Sequence, residues 1–172
     1  MRTEVTSIRR GLRLALLALL VGVAIAYFAA PGLAAEDCRR WSAQMMDDEG
    51  GPVLKAFACS DDPGQSELYL TCSGGTVWLS FDLAKGGDRT PGLEETAVVE
   101  FVTDAGIERL SMRHQAMDGL FAGSTPVDGA LVRKLSSERG LLVRDTAALY
   151  RAKTFSLAGS AESLRTLAAG CR

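Results

Sequence analysis

The residues of this chain whose types could do chemistry are few: four cysteines (Cys38, Cys59, Cys72 and Cys171), one histidine (His114), and two carboxylate runs, Asp47-Asp48-Glu49 and Asp61-Asp62. The cysteine spacing contains no CxxC, and one histidine adds little to a zinc set, so disulfide formation is the expected chemistry. Nucleophilic hydrolysis needs a base within hydrogen-bond reach of the nucleophile, and His114 would have to be that base. Beyond residue 35 there is no GxSxG elbow, HExxH helix, phosphate-binding glycine loop or SxxK motif. His114 therefore reads as a solvated histidine in a polar strand segment. The carboxylates lie in turn-rich sequence, where acidic groups are usually hydrated, and their spacing matches no EF-hand calcium loop. No enzymatic role, metal or other cofactor is expected.

An N-terminal segment fixes where these residues fold. Arg2, Arg9, Arg10 and Arg13 precede an uncharged apolar run from Leu14 to Ala30, followed by Pro31-Gly32 and the small residues of Leu33-Ala34-Ala35. That order is a secretory signal peptide, with cleavage expected after Ala35 and a single domain over residues 36–172. An uncleaved signal would instead anchor the chain to the inner membrane, but the apolar run is at the short end of the roughly 17–25 residues that span a bilayer. The expected location is the periplasm, where thiols are oxidised. Without residues 1–35 the chain keeps 15 basic and 20 acidic residues, a net charge of −5. This argues against nucleic acid and anionic membrane surfaces as partners and permits a basic protein as one.

The elements that must position these groups are mostly strands. Trp41 to Met46 and Val53 to Cys59 flank the acidic turn-rich stretch Asp47 to Pro52 and read as a hairpin. Glu67 to Cys72 and Thr76 to Leu83 alternate apolar and polar, the second with Val77, Leu79, Phe81 and Leu83 on one side. Ala97 to Thr103 and Ile107 to Arg113 pair around Asp104-Ala105-Gly106, and Gly140 to Arg144 and Leu149 to Leu157 supply two more strands. One helix is expected over Pro126 to Leu135, with Ser124 and Thr125 as candidate caps. A second begins with Ser160 as its cap and carries Leu164, Leu167, Ala168 and Cys171 on one stripe, so it should lie on the sheet. The sum is a β-rich α+β domain, an antiparallel β-sandwich or half-open barrel of about eight strands with two helices. Trp41 and Trp78 are expected to serve packing in the core or on a sheet face rather than as sugar platforms.

Four cysteines allow three pairings. Cys38 and Cys59 fall at one end of the first hairpin and Cys72 at the other, which favours Cys38–Cys59 with Cys72–Cys171. The second bridge would fasten the C-terminal helix to the sheet.

Trp41-Ser42-Ala43, the turn Asp48-Glu49-Gly50-Gly51-Pro52, Leu70-Thr71-Cys72, Met117-Asp118-Gly119-Leu120-Phe121-Ala122 and Phe155 to Ser160 ending in Cys171 together resemble small periplasmic proteins of alphaproteobacteria. Among those are inhibitors of peptidoglycan hydrolases, including lysozyme. The strand-plus-terminal-helix pattern is also similar to the secretion-associated TagO/VasI type. The better-known lysozyme inhibitors carry a Ser-Gly-x-x-Tyr signature, whereas Ser73-Gly74-Gly75-Thr76 lacks the aromatic, so the resemblance transfers no inhibitory residue. It implies a non-enzymatic binding protein whose partner is a basic cell-wall hydrolase such as a lysozyme or lytic transglycosylase, or else an accessory of an envelope or secretion assembly. The candidate contact residues are the turn groups Asp47, Asp48, Glu49, Asp61 and Asp62, followed by Arg113, His114 and Asp118.

Overall fold

A computed structural model of the chain describes residues 38–171. The expected export signal, residues 1–35, lies outside them. Nine strands form one antiparallel sheet: β1 (Ser42–Asp48), β2 (Gly51–Cys59), β3 (Glu67–Ser73), β4 (Thr76–Phe81), β5 (Thr96–Thr103), β6 (Gly106–Gln115), β7 (Leu120–Pro126), β8 (Gly140–Asp145) and β9 (Lys153–Ser156). Their order across the sheet is β1-β2-β3-β4-β7-β6-β5-β8-β9. Two helices complete the fold, α1 (Ala130–Ser137) and α2 (Ser160–Ala169). The C-terminal helix packs on β1, β2 and β3 and against α1, so the β-rich α+β architecture is as expected.

The sheet curls. β2 and β9 stand far apart in the strand order, yet the backbone N–H of Asp61, just past β2, donates to Thr154 O in β9 at 2.8 Å. The N–H of Trp41 reaches Ala158 O at 2.9 Å, and the Trp41 indole Nε1 donates to Ser156 O at 3.0 Å. Alternation within strands puts one row of side chains inside this curve. Leu68, Leu70, Val77, Leu79, Phe81, Val99, Phe101, Met112, Phe121 and Val143 are all fully buried there. Leu135 of α1 and Leu164 and Leu167 of α2 close the core from the helix side.

Four elements depart from the sequence expectation. Leu120–Pro126 is a strand lying between β4 and β6, and the helix expected from Pro126 begins four residues later, at Ala130, with Gly129 rather than Ser124 or Thr125 at its N-cap. Ser124 and Thr125 instead pair with Trp78 and Val77 of β4, because ladder bonds in the middle of a sheet outweigh a local cap. The last expected strand shrinks to Lys153–Ser156, since Asp145 accepts the N–H groups of Leu149 and Tyr150 and folds that segment into a turn. Ser160 opens α2 one residue inside its cap; Gly159 holds the cap position at φ 88°, and Ser160 Oγ donates backwards to Leu157 O at 2.7 Å. Cys171 follows the helix rather than riding on it.

Both favoured disulfides form, Cys38–Cys59 and Cys72–Cys171. The first closes the mouth of the β1–β2 hairpin, where Cys59 N–H donates to Cys38 O at 2.6 Å. The second ties the end of α2 to β3. Two such bridges with no free thiol among the described residues belong to an oxidising, extracytoplasmic compartment. No described helix is long and apolar enough to cross a membrane.

Candidate functional site

The groups best suited to chemistry gather in three clusters, each already occupied by its own partners. In the first, Arg89 grips Glu95 with two hydrogen bonds, at 2.7 and 2.9 Å, and Tyr150 Oη donates to Glu95 Oε1 at 2.8 Å. Gly92 N–H adds a bond at 3.0 Å to Glu95 Oε2. Hydrogen bonding from Arg89, then from the Gly92 backbone, holds the Glu95 carboxyl down to about 2. Burial first, and then the Glu95 carboxylate, pushes the Tyr150 phenol up to about 12. A carboxylate so fully bonded has no lone pair left for a substrate, and this cluster fastens the long loop between β4 and β5 to the segment before β9.

His114 belongs to the same fastening. It is 8% exposed, its ring lies 5.2 Å from that of Phe121, and its Nδ1 is 2.7 Å from Gly92 O. This corrects the expectation of a solvated histidine. β6 runs on to Gln115, and pairing of His114 with Phe121 turns the imidazole to the covered face.

The second cluster centres on Lys153, 3% exposed, whose Nζ donates to Asp62 Oδ2 at 3.1 Å and to Lys85 O at 2.8 Å. Ser60 Oγ donates to the other Asp62 oxygen and accepts Ser66 N–H at 2.8 Å. Burial acts to raise the Asp62 pKa, but the Ser60 hydroxyl and the Lys153 ammonium outweigh it, and the net direction is down. A serine beside a lysine suggests a nucleophile and its base, but here the Asp62 carboxylate lies between them and accepts a hydrogen bond from each. The third cluster is Glu100 of β5, flanked by Arg109 on β6 and Arg144 on β8, each bonded at 2.9 Å or less. Arg109 and then Arg144 lower the Glu100 pKa. Among the described residues no three of His, Cys, Asp and Glu converge as a metal-binding set.

The candidate contact residues do not form one surface. Asp47 and Asp48 end β1, and Glu49 lies in the turn to β2, all exposed. Asp61 and Asp62 follow the far end of β2, so nine residues of extended chain, roughly 30 Å at about 3.4 Å per residue, separate the two acidic groups. Arg113 on β6 pairs with Glu94 at 2.6 Å, and Asp118 occupies the exposed turn between β6 and β7. Asp48 is held low by Glu49 N–H and then by Lys55, 3.2 Å away.

What faces solvent without such occupation is the outer side of β2, β3 and β4. Phe57 and Tyr69 are directly opposed across β2 and β3, and Trp78 of β4 is paired with Thr71, one diagonal step from Tyr69. Trp78 is 50% exposed, Phe57 and Tyr69 are half-buried, and Lys55 Nζ sits 5.0 Å from the centre of the Tyr69 ring. The acidic turn Asp47-Asp48-Glu49 closes the hairpin at the side of this same half of the sheet. Composition did not single out Phe57 and Tyr69; the signal for Trp78 was its place opposite Val77 and Leu79 in the two-residue alternation. Trp41, by contrast, is 3% exposed and structural.

No protein-family model, no curated protein and no solved structure matches this chain.

Proposed function

We propose that this is a non-enzymatic periplasmic binding protein that holds, and thereby inhibits, a basic peptidoglycan hydrolase such as a lysozyme or lytic transglycosylase. The observation that carries the reading is Trp78, a large ring left 50% exposed on a rigid sheet face beside Tyr69 and Phe57. Tryptophan and tyrosine supply much of the energy of protein interfaces because they bury large area at low entropic cost. The acidic turn at the hairpin end and the net charge of −5 over residues 36–172 suit a basic partner, speeding encounter and fixing orientation. The saturated clusters support a binding role over a catalytic one. The resemblance to hydrolase inhibitors points the same way.

The test is inhibition of a panel of lysozymes and lytic transglycosylases by the purified oxidised protein. Stoichiometric slowing of at least one enzyme, weakened by Trp78→Ala, is expected. Unchanged rates for every enzyme at any molar excess would overturn the reading.

A further inference from the structure

The outer face of the sheet changes character across β6, β5 and β8. Arg109, Glu100 and Arg144 stand there in one row, and the Glu100 carboxylate between the two arginines is only 8% exposed. Arg109 donates from Nε and Nη2 to Glu100 Oε1, while Arg144 Nε donates to Oε2 at 2.9 Å with its Nη2 at the same distance. The carboxylate is thereby full, but the guanidiniums are not. Their side chains are 63% and 47% exposed, and among the described residues Nη1 of neither has a partner. Two positive charges held by one negative leave a surplus of one, and both forks are fixed in place before any ligand arrives.

The next row along the same strands is aliphatic: Ile107, Val102 and Leu142, with Thr154 of β9 at its end. It opens a cleft of about 500 Å³, lined by Val102, Leu142 and Thr154 and, further on, by Gly140, Asp61 and Asp104. That volume lies within the range of small-ligand sites, roughly 300–1,000 Å³. Gly140 keeps the cleft open, since a Cβ there would meet nothing within 4 Å. Asp61 and Asp104 are exposed and have no side-chain partner among the described residues; with Arg139 at the same end, they leave a surplus of one negative charge.

Charge therefore runs from positive at Arg109 and Arg144 to negative at Asp61 and Asp104, across an aliphatic middle. Arg144 and Gly140 are four residues apart on β8, roughly 13 Å at about 3.4 Å per residue. An extended peptide of about four residues has that length from its amine to its carboxylate. A simple anion would leave the acidic end unmatched, and a fatty acid would set hydrocarbon against it.

We infer that the cleft over β5, β8 and β9 binds a short peptide with free termini and small aliphatic side chains, its carboxylate on Arg109 and Arg144 and its ammonium at Asp61 and Asp104. Such a zwitterion is neutral overall, so the acidic chain does not repel it. β8 stands four strands from β4, roughly 19 Å along the sheet at about 4.8 Å per strand, so the site is separate from the Trp78 face and independent of what that face binds.

NMR titration of the purified, oxidised, isotope-labelled protein with tetraalanine tests it. Amides of residues 140, 142 and 154 should shift and saturate. Amidating the peptide's carboxylate, or acetylating its amine, should each raise the dissociation constant roughly tenfold or more. Arg144→Gln should do the same, and Gly140→Leu, which fills the cleft, should abolish binding; Trp78→Ala should leave it unchanged. Circular dichroism verifies the fold of each variant, and the modified peptides test the wild type without any variant. No saturable shift with tetraalanine, equal binding of the amidated or acetylated peptide, equal binding of acetate as a mere anion site would give, or undiminished binding by folded Gly140→Leu would each overturn the proposal.

Discussion

Tyr150 donates its hydroxyl proton to Glu95 across 55 residues of chain, at 2.8 Å, while Arg89 bonds to both of them. This single contact joins two loops that have no strand of their own at that point.

The contact gives stability a pH signature at both extremes. Glu95 titrates near 2 in the folded protein against an ordinary value of 4.5, so its contribution is complete above pH 4.5 and is lost as pH falls towards 2. Tyr150 titrates near 12 against 10, so its contribution is present below pH 10 and is lost as pH rises towards 12. Melting temperatures measured from pH 2 to 12 should fall less steeply at the acid end in Glu95→Gln and at the alkaline end in Tyr150→Phe. At neutral pH Tyr150→Phe should cost about 1 kcal/mol.

The two tryptophans should behave as opposites. Trp41→Ala removes a buried indole and its bond to Ser156, and should cost about 3–5 kcal/mol in urea unfolding. Trp78→Ala, on an exposed face, should stay within about 0.5 kcal/mol of wild type. Acrylamide should quench only the fluorescence that remains in Trp41→Ala.

Removing the bridges should cost unequally. On the loop-closure relation the 99-residue span of Cys72–Cys171 contributes about 4.7 kcal/mol and the 21-residue span of Cys38–Cys59 about 3.3. Paired Cys→Ala variants compared by denaturant unfolding should rank in that order.

Gly159 turns the chain into α2 at φ 88°, and a Cβ there would lie 2.7 Å from Trp41 O, a backbone atom. Gly159→Ala should therefore cost about 1–3 kcal/mol, measured by the same unfolding. Gly140→Ala, with open space at its Cβ, is the control and should stay within about 0.5 kcal/mol.

Much of the fold was readable because its strands alternate cleanly. Thr76–Phe81 sends Val77, Leu79 and Phe81 inward, and the first hairpin's polarity sufficed to order the disulfides. Leu120–Pro126 was not readable as a strand because Gly123 breaks its apolar row. That gap is filled from the neighbouring strand: a Cβ on Gly123 would meet Leu110 at 2.9 Å. The Asp118-Gly119 pair before it was the available hint, a turn dipeptide between two strands. His114 was misjudged for the same reason, since its cover comes from Phe121 on the unrecognised strand. The surface around Trp78 needed the register, because Phe57, Tyr69 and Trp78 become neighbours only when three strands align.

The crosslinks also decide how the molecule would bear tension. Force entering at Cys38 passes through sulfur to Cys59, travels the backbone to Cys72, and leaves through sulfur at Cys171. Only the 13 steps between Cys59 and Cys72 lie on that route, so pulling can lengthen the protein by no more than roughly 45 Å of taut chain, at about 3.5 Å per residue. The strands and helices from Ser73 to Gly170 hang beside the line of force as an unstretched loop.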